Sequence, residues 1–167
     1  MRRMSVPVLY AQAISELASL DVSFDVGGLE LFPVSALEDA QVGYSRTSDG
    51  KSLVGTESGF WQANWVVIGH ELCCGDPIFV DLNDPNNPVF TAMHGEGSWS
   101  PQQIAISIEA FAACFREFAI IAELRGSPVA AQEHPVEDAE RAAFLSRIKE
   151  LNRGSISTDF WEVLIAS

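Results

Sequence analysis

Three runs of β-branched and aromatic residues follow one another between Trp65 and Met93, with no helix-length connection between them. They are Trp65 to Ile68, Pro77 to Leu82 and Val89 to Met93. Parallel neighbours need a crossover of a dozen or more residues, so spacing this tight dictates consecutive antiparallel strands. The connectors agree. Gly75-Asp76 precedes the second run, and Asp81 to Pro88 is dense in Asn, Asp and Pro, which bond local backbone or fix φ in turns.

On either side of this block the period changes. Val8 to Leu20 places Leu9, Ala13, Ile14, Leu17 and Leu20 on one helical face. Leu29 to Phe32 reads as a short strand stopped by Pro33, and Ser35 with Glu38 predicts a capped helical turn through Ala40. Thr47 to Gly50 reads as the turn of a hairpin joining Gly43–Arg46 to Ser52–Val54. Downstream, Ser100, Pro101 and Gln103 have the order of an N-cap, a first-turn proline and a capping box. Ile104, Ile108, Phe111, Ala112, Phe115 and Phe118 then recur at helical spacing, which predicts an amphipathic helix ended near Gly126.

Ser127 to His134 reads as a proline-bounded linker, and Pro135 to Asn152 as a second helix. That helix would turn Ala139, Ala142, Leu145 and Ile148 inward, with Gly154 at C′. Thr158 to Ile165, a final turn or short helix with Phe160, Trp161 and Leu164, either docks on the core or offers a homodimer surface. The expected fold is α+β: an antiparallel sheet covered by helices, with a C-terminal helical extension. One domain spans residues 1–167, its core over about 1–125 and the extension over about 126–167.

Charge narrows the partners. Residues 52–115 hold seven acids (Glu57, Glu71, Asp76, Asp81, Asp84, Glu96, Glu109) and no lysine or arginine, in a chain of net charge −13. A sheet region of one sign attracts cations or basic proteins and repels phosphate backbones, so nucleic acid and anionic membrane surfaces are disfavoured as partners. No apolar run approaches the roughly 20 residues that span a bilayer. Ser15, Glu16 and Asp21 interrupt what would be the apolar region of a signal peptide, so the expected location is cytoplasmic. The three cysteines, Cys73, Cys74 and Cys114, make no disulfide framework and read as buried, reduced thiols.

Several motifs begin and then fail. His70-Glu71-Leu72-Cys73-Cys74 has Cys74 where a zinc protease needs its second histidine. His94-Gly95-Glu96 opens like a zinc deaminase signature, but only Cys114 lies downstream of it. Asp81, Asn83 and Asp84 start like a calcium loop, yet Asn86 and Ala92 occupy the places of its glycine and its bidentate glutamate. Gly95 to Trp99 lacks the Gly-Lys-Ser/Thr end of a phosphate loop. A cysteine hydrolase remains an alternative, although no base sits near a cysteine in sequence to lower its pKa. No catalytic residue, metal or cofactor is expected.

Residues 65–115 carry a resemblance. A strand ending near Gly69 leads to Gly75-Asp76-Pro77-Ile78-Phe79-Val80-Asp81-Leu82, then Asn83 to Pro88, Val89-Phe90, His94-Gly95, Trp99 and Ile104 to Phe111. This ordered set resembles the SUKH superfamily, which comprises the yeast cell-wall-assembly regulator type and its bacterial toxin-immunity relatives. The resemblance implies a strongly curved antiparallel sheet packed on helices, no enzymatic activity, and, for bacterial members, neutralisation of a toxin that is often a nuclease. An acidic surface suits that role, since it can mimic phosphate and close a basic cleft. The alternative within the family is a regulatory or scaffold protein with no toxin partner. Candidate partner-binding residues are Glu71, Asp76, Asp81, Asp84, Glu96 and Trp99. Asp76 and Asp81 could equally bond local backbone, and the partner expected is a basic protein, such as a secreted toxin domain.

Overall fold

A computed structural model describes residues 10, 11, 13, 15, 17, 22–25 and 27–166. The helix expected over Val8 to Leu20 falls largely outside them. Six strands form one antiparallel sheet in sequence order: β1 (Val22–Phe24), β2 (Gly27–Leu31), β3 (Trp65–Glu71), β4 (Pro77–Asp81), β5 (Val89–Thr91) and β6 (Gln102–Ala105). The sheet curls into a half-barrel, and the fold is α+β. The helices are α1 (Leu37–Ala40), preceded by a 3-10 turn at Val34–Ala36, then α2 (Ile108–Arg125), α3 (Pro128–Glu133), α4 (Asp138–Leu151) and α5 (Asp159–Leu164).

Side-chain alternation along β3 and β4 builds two cores. Val66, Ile68, Ile78 and Val80 face α2 and pack with its Phe111, Phe115 and Phe118. Each such aromatic contributes about 1.5–3 kcal/mol by burial. Val67 and Phe79 point the other way, into a second cluster with Trp61 and Ala92, flanked by Tyr44, Trp65, Phe90 and Trp99. Trp61 is its hub, stacking edge-on with Trp65 and Trp99 at centroid separations of 5.4 and 5.1 Å. The loop between α1 and β3 lies over this face. Gln41 pins it there, accepting from the Val67 N–H (3.0 Å) and donating to the Val67 carbonyl (2.9 Å).

The β2 to β5 pattern follows the sequence expectation, and several local readings change. Residues 102–105 are a strand, because Gln102 to Ala105 pair with β5. The helix behind them starts at Ile108, where Ser107 Oγ accepts from the Ala110 N–H (3.1 Å). Gly126 ends it in the left-handed region with φ 72°, a backbone that glycine adopts at no steric cost. Residues 128–133, expected as linker, form α3 with Ser127 as a true N-cap. The α1 turn forms without side-chain capping from Ser35. The 43–54 hairpin reduces to isolated bridges, although Thr47 to Gly50 is a turn as expected.

In α4, Ile148 faces the core and Leu145 packs against it as expected, Phe144 joins them, and Ala139 and Ala142 are exposed, contrary to expectation. The residue in the left-handed C′ position is Arg153 (φ 54°), one before Gly154. Gly154 N–H closes the cap on the Lys149 carbonyl (2.8 Å). Of the two roles open to the tail, docking on the core is the one observed. Trp161 is fully buried and its Nε1 donates to the Ile104 carbonyl of β6 (2.9 Å). Asn152, also fully buried, accepts from the Ile106 N–H (2.9 Å) and donates to the Ile148 carbonyl (2.9 Å) and to Cys114 Sγ (3.3 Å).

Candidate functional site: an acidic groove beside the C-terminal helix

The β3–β4 turn, the start of the β5–β6 loop and α5 enclose an open groove of about 560 Å³. Ala92, Met93, Phe160, Val163 and Leu164 provide its apolar lining, and Glu71, Asp76, Glu96 and Asp159 its carboxylates. Among the described residues no lysine or arginine lines it. Met93 and Val163 are 62% and 72% exposed, so the apolar lining is open to solvent.

Two of these acids also hold the walls in place. Glu71 accepts from the backbone N–H groups of Cys73 (2.9 Å), Cys74 (2.6 Å) and Asp76 (3.2 Å). Charge-assisted bonds of this kind order a turn whose next residue, Gly75, sits at φ 78°. Asp76 accepts from the His94 N–H (2.9 Å) and meets its Nδ1 at 2.7 Å, which ties the β5–β6 loop to the hairpin. Glu96 is exposed in that loop. Asp159 opens α5.

The six residues singled out in the sequence separate into three places. Glu71, Asp76 and Glu96 come together in the groove. Asp81 closes the opposite end of β4, a strand length of roughly 13 Å away, and Asp84 lies beyond it. Asp81 there accepts from Asn64 Nδ2 and from the Asn83 N–H (2.8 Å), and Asp84 from the Asn86 N–H (2.8 Å), so both organise turns. Asp84 and Glu109 share a second cleft with Arg153, which is therefore mixed in sign. Trp99 is half-buried and lines a third cleft with Tyr44, Phe60 and Trp61. The central acids thus form no single surface.

Two of the three cysteines also need correction. Cys114 is buried, and burial pushes its thiol up to about 11. Cys73 and Cys74 are exposed at the groove wall. Cys74 is pushed up as well, first by hydrogen bonding to Cys73 and then by the negative charge of Cys73 and Glu71. Sequence reasoning also missed Asp159, Phe160 and Val163. Their signal was present: after Arg153 the chain carries Asp159 and Glu162 and no further base.

Among the described residues no group of three His, Cys, Asp or Glu side chains could hold a metal ion, and no helix is long and apolar enough to cross a membrane. In comparisons with known proteins, no family model, no curated protein and no solved structure matches this chain.

Proposed function

We propose that this chain is a non-enzymatic protein-binding domain of SUKH character. In this reading it is an immunity protein that neutralises a basic, nuclease-type toxin domain through the acidic groove. The observation that carries the reading is the groove lining: four carboxylates and, among the described residues, no lysine or arginine around a partly exposed apolar floor. Apolar floors take an aliphatic or aromatic anchor, and the carboxylates select one flanked by lysine or arginine. Complementary fields of this sort accelerate encounter and reject acidic competitors. The raised thiol of Cys74 supports a non-enzymatic reading, since a nucleophilic cysteine needs its pKa lowered.

The test uses Glu96→Lys with Asp159→Lys, two rim positions outside the turn network, against a basic toxin domain that co-purifies with the protein. The expected result is an association rate lowered about tenfold or more at low salt, with loss of protection in a growth assay. Asp84→Lys, at the far end of β4, should leave both unchanged. Unaltered affinity in the double variant refutes the groove as the binding surface.

A further inference from the structure

We propose that Cys73 and Cys74 form a thiol modification site on the wall of the acidic groove, one that takes a cationic low-molecular-weight disulfide into a mixed disulfide. The inference concerns the same groove as the proposed function, but its readout needs no protein partner, so the two readings fail separately.

Both thiols are exposed and sit side by side on one wall of the groove. Adjacent cysteines do not readily bond to each other. Their Cα atoms are about 3.8 Å apart across a trans peptide, whereas an unstrained disulfide spans about 4.4–6.8 Å. The turn cannot easily give, because Glu71 holds the amides of Cys73, Cys74 and Asp76 together. The pair therefore stays as two thiols, open to an outside sulfur.

The surroundings select the charge of that sulfur's carrier. Glu71, Asp76, Glu96 and Asp159 line the groove without a lysine or arginine among the described residues, so an anionic disulfide is repelled and a cationic one concentrated. The Cys74 thiol is pushed up, first by hydrogen bonding to Cys73 and by its charge, then by Glu71 and Asp76, which keeps its thiolate scarce near neutral pH. A bound cation offsets that effect while it delivers the disulfide. In the exchange, one cysteine thiolate attacks a sulfur of R–S–S–R. The new Cys–S–S–R bond forms as the old S–S bond breaks, and R–S⁻ leaves and takes up the proton the cysteine released. With a cationic R group the product places positive charge in the groove and occupies its apolar floor.

The experiment treats the folded protein with cystamine or with oxidised glutathione at mildly alkaline pH and low ionic strength, followed by intact mass and peptide mapping. Rates are normalised to each disulfide's reaction with a small free thiol. The expected result is a cysteamine adduct confined to Cys73 and Cys74, formed about tenfold faster than the glutathione adduct. That preference should collapse at 1 M salt, where the screening length is about 3 Å, and shrink in Glu96→Gln with Asp159→Asn. Cys73→Ser with Cys74→Ser should abolish the adduct. The proposal is overturned by a two-hydrogen mass loss marking a Cys73–Cys74 disulfide, by adducts on Cys114, by a preference that ignores salt, or by no adduct while the urea-unfolded chain reacts.

Discussion

Replacing Asn152 with alanine should cost about 3 kcal/mol. The side chain is fully buried and makes three hydrogen bonds: from the Ile106 N–H, to the Ile148 carbonyl and to Cys114 Sγ. Each typically contributes about 0.5–1.5 kcal/mol net, and an amide left unpaired away from water costs about 1–3 kcal/mol. Ile106 N–H is the group so exposed to loss. For a chain of this length each kcal/mol lowers Tm by about 2–4 °C, which gives a fall of roughly 6–12 °C. Urea titration followed by tryptophan fluorescence should show a lower midpoint with an unchanged slope. Asn152→Asp makes the argument sharper. It keeps the acceptor for Ile106 but turns an oxygen toward the Ile148 carbonyl and the Cys114 sulfur, so it should be at least as damaging. A loss below about 1 kcal/mol in both variants refutes the idea that this residue joins α4 to the β6–α2 junction.

Other expectations follow from the charge arrangement. Glu140 is held below the ordinary glutamate value, first by hydrogen bonds from Arg125. Its contribution is complete above about pH 4.5 and disappears as pH falls through the depressed folded value; Glu140→Gln should lower Tm at pH 7 and converge with wild type in strong acid. Burial pushes the Cys114 thiol up to about 11 from an ordinary value of 9.0. Stability should accordingly hold below about pH 9 and decline toward pH 11, and Cys114→Ala should flatten that decline. Glu71→Gln should cost about 1–2 kcal/mol and speed hydrogen exchange at the amides of Cys73, Cys74 and Asp76.

What could be read in advance depended on how local the determinant was. Trp65 to Ile68 and Pro77 to Leu82 announced β3 and β4 because β-branched and aromatic residues fit a pleated surface whatever lies next to it. Strand β6 was obscured by a false cap. Ser100, Pro101 and Gln103 imitate a helix start, whereas Gln102 to Ala105 are held extended by pairing with β5. The same Ser-Pro pairing at Ser127-Pro128 is a genuine cap and read as linker. The groove was half legible. Glu71, Asp76 and Glu96 stand out from the base-free segment. Their meeting with Asp159 and Phe160 depends on tertiary docking of α5, which no local pattern encodes. Spacing likewise gave no hint that Glu71 would spend its carboxylate on three amides of its own turn, or that the adjacent cysteines would face water.

The two polar side chains that the C-terminal segment sends inward, from Trp161 and Asn152, both terminate on backbone groups in or just after the outermost strand. An unprotected sheet margin is a template for a neighbouring chain. Here an indole and a carboxamide take up two backbone groups at that margin, so removal of the docked tail should leave both open to another strand.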